Sequence, residues 1–222
     1  MSREVDQSFL ALPRGSLADA ALTRARELGV EHADFRIERI RNEELSIRDN
    51  ELQGAEDAEE VGFAVRVIHD GTWGFAAGVD LNADTVAQAT ELAVLVARTS
   101  RALSTERVEL VEEPVHQAQT WVSSYDVNPF DIPVADKISL LVHWTETLLS
   151  STHVDHADAA VELALENKYY ADTAGTETTQ QRVRVHPQAK AVSVDPASGA
   201  FETMRTLAPP TGRGWEYLTG AG

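Results

Sequence analysis

Cysteine is absent from all 222 residues. The chain therefore has no disulfide framework, no thiolate zinc site and no cysteine nucleophile. That absence fits a reducing compartment such as the cytoplasm. Basic residues are scarce: 19 Lys and Arg stand against 36 Asp and Glu, a formal net charge of −17. Such a balance argues against direct nucleic-acid binding, which needs an excess of cations on one face. No apolar run approaches the roughly 20 residues of a membrane-spanning helix. Met1 to Pro13 holds acidic residues and no apolar core of signal-peptide length. A cytoplasmic protein without a membrane partner is expected.

Catalytic signatures are lacking too. There is no Gly-x-Ser-x-Gly elbow, no phosphate loop ending in Gly-Lys-Ser/Thr, no dinucleotide fingerprint and no helical His-Glu zinc motif. His153-Val154-Asp155-His156, with Asp158, has metal-compatible residue types. It leads into a predicted strand, however, where positions three apart point to opposite faces. It reads as a solvated strand entrance. His143, beside Trp144 on a predicted helix, reads as a partly buried, hydrogen-bonded histidine. His32, His69, His116 and His186 lie at strand ends or loops without partners in sequence. Adjacent carboxylates at Glu43-Glu44, Glu59-Glu60 and Glu112-Glu113 point apart on strands and form no acid–base pair. No catalytic and no metal-binding residue is assigned.

What is present is a globular chain, 43% hydrophobic and long enough for one large or two small cores. A helix is predicted from Ser16 to Leu28, ended by Gly29. Two half-exposed strands follow around Ala33–Ile37 and Leu45–Ile47. Next, Val61–Ile68 and Thr72–Gly78 flank Asp70-Gly71, a strong type I′ hairpin signal. A two-residue loop sets Val67 opposite Gly74, Val65 opposite Ala76 and Arg66 opposite Phe75. Large side chains then face small ones, so close cover over both faces is expected. Asn82 caps a long alanine-rich helix.

Residues 105–132 read as an irregular connection with one short strand, Gln119 to Val122. Pro133 opens a second helix, with Ile138, Leu141, Thr145 and Leu148 on its buried face. A meander follows through Ala157–Leu165, Lys168–Asp172, Gln181–Val185, Ala189–Val194 and Phe201–Thr206. The fold class is α+β: two helix-plus-antiparallel-meander units in layers, with room for a mixed sheet. The expected division is 14–104, a connection over 105–132, a second unit over 133–208, and a linker over 209–222 leading into a further domain.

Arg66 is the one charge set into the apolar hairpin. It can stack on Phe75, pair with a carboxylate, or hold a ligand carboxylate or carbonyl. It is the single candidate substrate-binding residue.

The hairpin carries a family resemblance. Val61-Gly62-Phe63-Ala64-Val65-Arg66-Val67, then Gly71-Thr72-Trp73-Gly74-Phe75-Ala76, resembles the "G-x-x-V-R-V…G-x-W-G-F-A" pattern of the TldD/PmbA family, also called modulators of DNA gyrase. Ala33-Asp34-Phe35-Arg36 resembles that family's first strand, and Pro133 to Leu149 the helix opening its second segment. Tyr170 to Thr176 resembles its "F-x-N-S-x-G" turn, departing at Asp172, Thr173 and Ala174, and Gly212 to Glu216 its "G-x-G-x-E". The tryptophan hairpin is closer to the TldD than to the PmbA branch. The resemblance implies a zinc-dependent peptidase acting on small or unfolded peptides, working as a homo- or heterodimer with a subunit of the same family. It also implies zinc ligands in a His-Glu-x-x-x-His helix and a later cysteine, C-terminal to every motif matched here. By that reading the segment is the N-terminal portion of such an enzyme, inactive alone and binding no zinc itself. The alternative is a non-catalytic peptide-binding or dimerisation subunit.

Overall fold

Strand length sets the architecture. The computed structural model describes residues 4–220. Their order is α1 (Gln7–Leu10), α2 (Arg14–Glu27), β1 (His32–Arg48), β2 (Glu51–His69), β3 (Thr72–Gly78) and α3 (Ala83–Ser100), then β4 (Gln119–Val122), α4 (Val134–Leu149), β5 (His156–Asp172), β6 (Glu177–Val194), β7 (Phe201–Arg205) and α5 (Glu216–Thr219). β1 has 17 residues, about 55 Å at 3.3 Å per residue. A helix of 14 to 18 residues, such as α2 or α3, covers only about 21–27 Å. One strand therefore carries two successive helical covers: α2 and α3 over one end of the sheet, α4 over the other.

The seven strands form one sheet in the order β3-β2-β1-β5-β6-β4, with β7 beside β6. All pairings are antiparallel except β4 with β6, so the sheet is mixed. Strands of both helix-plus-meander units join through β1 and β5, from Asp34–Asp172 to Arg48–Asp158. The hairpin register is the predicted one: Arg66 opposite Phe75, Val67 opposite Gly74 and Val65 opposite Ala76. Asp70 and Gly71 both have positive φ, as do Asp49 and Asn50 at the β1–β2 turn.

Several expectations change. The two short strands at Ala33–Ile37 and Leu45–Ile47 are one strand, and β2 begins ten residues early, at Glu51. Likewise Ala157–Leu165 merges with Lys168–Asp172, and Gln181–Val185 with Ala189–Val194. Residue-by-residue pairing with a long neighbour overrides weak local strand preference. His143 is exposed, not partly buried. Cover over both hairpin faces is also corrected: helices lie on one face only.

That covered face takes the odd-numbered residues of β1, β2, β5 and β6. Phe35, Ile37, Val65 and Val67 pack with α2 and α3. Leu45, Ile47, Val161 and Leu163 pack with Leu141 of α4. α3 approaches β3 so closely that a Cβ on Gly74 would lie 1.9 Å from the Ala93 carbonyl oxygen. Only glycine fits there.

Between the two apolar clusters the same face is polar. Arg39 donates to Asn167 Oδ1 at 2.7 and 3.2 Å, and Asn167 donates to Gln181 Oε1 at 2.8 Å. Gln181 donates in turn to the Tyr125 hydroxyl at 2.9 Å. Further along, Lys137 Nζ of α4 donates to both Glu43 oxygens at 2.7 and 2.8 Å, with side chains 1% and 3% exposed. Removing one partner of a buried pair strands the other, which costs about 3–5 kcal/mol, whereas removing both is nearly neutral. Lys137→Met should therefore lower the denaturant midpoint sharply, and adding Glu43→Leu should recover most of the loss. A double variant no more stable than Lys137→Met would contradict this.

Candidate functional site

The uncovered face carries the even-numbered residues of β1, β5 and β6. Over most of its area these charges neutralise one another across the strands. Lys168 pairs with Glu38 at 2.6 Å, Arg184 with Glu166 at 2.5 Å, Lys190 with Asp158 at 2.8 Å and His186 with Glu162 at 3.2 Å. Short cross-strand pairs of this kind keep the face solvated and closed to apolar ligands.

Over β1, β2 and β3 the character changes. Here a cavity of about 850 Å³ opens, within the usual range for ligand sites. Its floor is small or apolar: Gly62, Ala64, Ile40 and Ala77. Phe75 and Val79 stand on it 57% and 72% exposed. Asp34, Arg36 and Arg66 mark one end, and Glu60 the other.

Arg66 is held on two sides. It sits directly across the ladder from Asp34 and donates from Nε to Asp34 Oδ2 at 2.8 Å. Its guanidinium lies 4.4 Å from the Trp73 ring centroid. Stacking on Phe75 was one expectation; the pull of Asp34 turns the side chain to Trp73 instead. Among the described residues no acceptor bonds its two outer nitrogens, and the side chain is 40% exposed.

Asp34 is only 1% exposed although it lies on the open face. Arg36 Nε stands 3.1 Å from its other oxygen, and His32 lies 3.8 Å from Oδ2. Arg36 in turn lies over the Tyr170 ring, whose hydroxyl donates to Asp172 at 3.0 Å. Burial pushes the Asp34 carboxyl up, but the nearby His32 ring, the Arg66 hydrogen bond and the Arg36 charge outweigh it, leaving the carboxyl below its ordinary value. Burial, then the charges of Asp34 and Asp172, raise the Tyr170 phenol well above its ordinary value, so it remains a donor.

The other sequence candidates lie elsewhere. His156 pairs with Asp49 at 2.8 Å at the far end of the sheet, and Asp158 is held by Lys190. Three features of the site were missed in sequence: the stack on Trp73, the buried Asp34 beneath Arg66 and the place of Glu60 in the cavity lining. The register of β1 against β2 places Asp34 and Glu60, and that of β2 against β3 places Trp73.

Residues 33–97 match the family model described as "PmbA/TldA metallopeptidase domain 1". This segment is similar to a PmbA/TldA first domain. It spans β1, β2, β3 and most of α3, the elements that build the cavity and its helical cover. Three solved structures share the fold of this chain at 16% identity. Candidate modulators of DNA gyrase from Bacteroides thetaiotaomicron and Thermotoga maritima each superpose with a TM-score of 0.69 over 90% of this chain. They are covered over 45% and 43% of their own lengths. TldE from Thermococcus kodakarensis superposes at 0.63, over 85% of this chain and 42% of its own. The chain thus spans less than half the length of each of these three solved structures. No curated protein matches the sequence.

A metallopeptidase family implies a metal. Among the described residues no group of three or more His, Asp or Glu side chains could hold one, and Asp34 is already engaged by two guanidinium groups. The residues present do not fit zinc, and no hydrolytic step is built on them. Among the described residues, no helix of the chain is long and apolar enough to cross a membrane.

Because the Asp34 carboxyl is lowered on folding, its stabilisation is present above the unfolded value of about 3.9 and is lost as pH falls through the folded value. Asp34→Asn should reduce the urea midpoint at pH 7 yet lessen the further fall on going to pH 3. An acid-side fall as steep as the parent's would contradict this role.

Proposed function

We propose that this chain is the N-terminal, peptide-holding portion of a PmbA/TldA-family metallopeptidase acting on short or unfolded peptides. Zinc and the bond-breaking chemistry would belong to residues outside those described. The observation that carries the reading is the cavity itself, which lies inside the family-matched segment and borders a free strand edge.

The edge follows from the turn. In a two-residue hairpin the flanking pair, His69 and Thr72, exchanges both backbone bonds. Thr72, Gly74 and Ala76 therefore bond inward to β2, and the backbone groups of Trp73, Phe75 and Ala77 point outward. β3 ends the strand order among the described residues. An extended peptide can add there as a further strand, with alternate side chains reaching the cavity beside Phe75. Arg66 is the proposed substrate-binding residue.

Purified chain should bind short unstructured peptides in a calorimetric titration and should leave them uncleaved with zinc present. Ala77→Pro removes one outward N–H and leaves the inward ladder intact. It should weaken peptide binding about tenfold or more, the loss of one to two hydrogen bonds in a partly dry site. Binding indifferent to Ala77→Pro, or cleavage by this chain alone with one bound zinc, would overturn the reading.

A further inference from the structure

We infer that the cavity recognises the ends of its peptide: Arg66 seats a free C-terminal carboxylate, and Glu60 receives the amino terminus of a segment about six residues long. The inference rests on the peptide-holding reading above and adds to it the class of ligand.

Three observations converge on the carboxylate. First, the guanidinium is ordered before any ligand arrives. Its Nε is fixed by Asp34, its plane rests on Trp73, and its two outer nitrogens remain unbonded among the described residues. Those two N–H groups match the two oxygens of a carboxylate in a forked pair, and little side-chain freedom is left to lose on binding. Second, two guanidinium groups, Arg36 and Arg66, both lie within 3.1 Å of the one buried Asp34 carboxylate, in a chain whose net charge is −17. Free polyanions are repelled by that overall field, so a ligand carrying one carboxylate and one amine suits the site better. Third, the exposed Phe75 ring stands directly across the ladder from Arg66. A terminal apolar side chain can cover it while the carboxylate meets the guanidinium.

Glu60 sets the length. It lines the same cavity and has no cationic partner among the described residues, unlike Glu38 beside it, which Lys168 holds. Glu60 and Arg66 are six positions apart on β2, about 20 Å at 3.3 Å per residue. An extended peptide of about six residues spans that distance, placing opposite charges at both ends.

The test is calorimetric titration of the full 222-residue chain with one neutral peptide, six residues of alanine, leucine and glycine. It is used as the free acid, as the C-terminal amide, and as the N-acetylated acid. The free acid should bind about tenfold or more tighter than the amide, as a charge-assisted forked pair requires. Arg66→Gln should abolish that preference, bringing the acid-to-amide affinity ratio close to one. Glu60→Gln, an exposed substitution that leaves folding intact, should abolish the preference for the free amine over the acetylated form. Acid and amide binding equally to the parent chain overturns terminus recognition and leaves the peptide-holding reading standing. Failure of all three peptides to bind overturns both. Should Arg66→Gln fail to fold, the parent's acid-to-amide ratio and the Glu60→Gln titration decide alone.

Discussion

The pairing of β1 along both of its edges is the constraint on which everything else rests. β2 takes one edge from His32 to Arg48, and β5 takes the other from Asp34 to Arg48. Once this register is set, the parity of every side chain is set too. Odd residues go beneath the helices and even residues stay open. A slip of one residue would send Phe35 and Ile37 into water and Asp34 and Arg36 into the core. The hydrophobic alternation of β1 and β5 excludes that slip, and the buried Glu43–Lys137 pair excludes it again from the α4 side.

The open face follows from the same parity, and its two regions differ in how charge is used. Along β5 and β6, carboxylates and cations cancel across neighbouring strands, so that surface is solvated and inert. Over β2 and β3 the residues shrink to glycine and alanine. A cavity forms because no side chain fills it. Asp34 makes the difference there: a carboxylate buried by three basic neighbours orders Arg66 without consuming its outer nitrogens. The forked end of Arg66 is therefore left open to solvent while its Nε is fixed.

The sequence made the hairpin legible to the residue, because Asp70-Gly71 admits one loop length and therefore one register. The short strand Gln119–Val122 and the α4 start after Pro133 were legible for similar reasons, each resting on local backbone chemistry. Strand lengths were not. Glu51 to Glu60 is mostly acidic and polar on both faces, so its strand character comes wholly from β1 beside it. Lys137 shares a helical stripe with Leu141 and Thr145, and all three are buried. Only the position of Glu43 on the covered face explains why a lysine belongs there. The site suffered the same limit. Arg66 stood out as a lone charge, but its partners Asp34 and Trp73 come from two other strands, and no local pattern joins them.

The central claim is that peptide is held on the open face over β1–β3 and along the free edge of β3. Hydrogen–deuterium exchange of the chain, with and without saturating unstructured peptide, reads this directly. Slowed exchange is predicted within residues 60–66 and 72–79, including the outward amides of Phe75 and Ala77, with residues 156–194 unchanged. Slowing confined to 156–194 or to the helices, with 60–79 unaffected, would contradict the account.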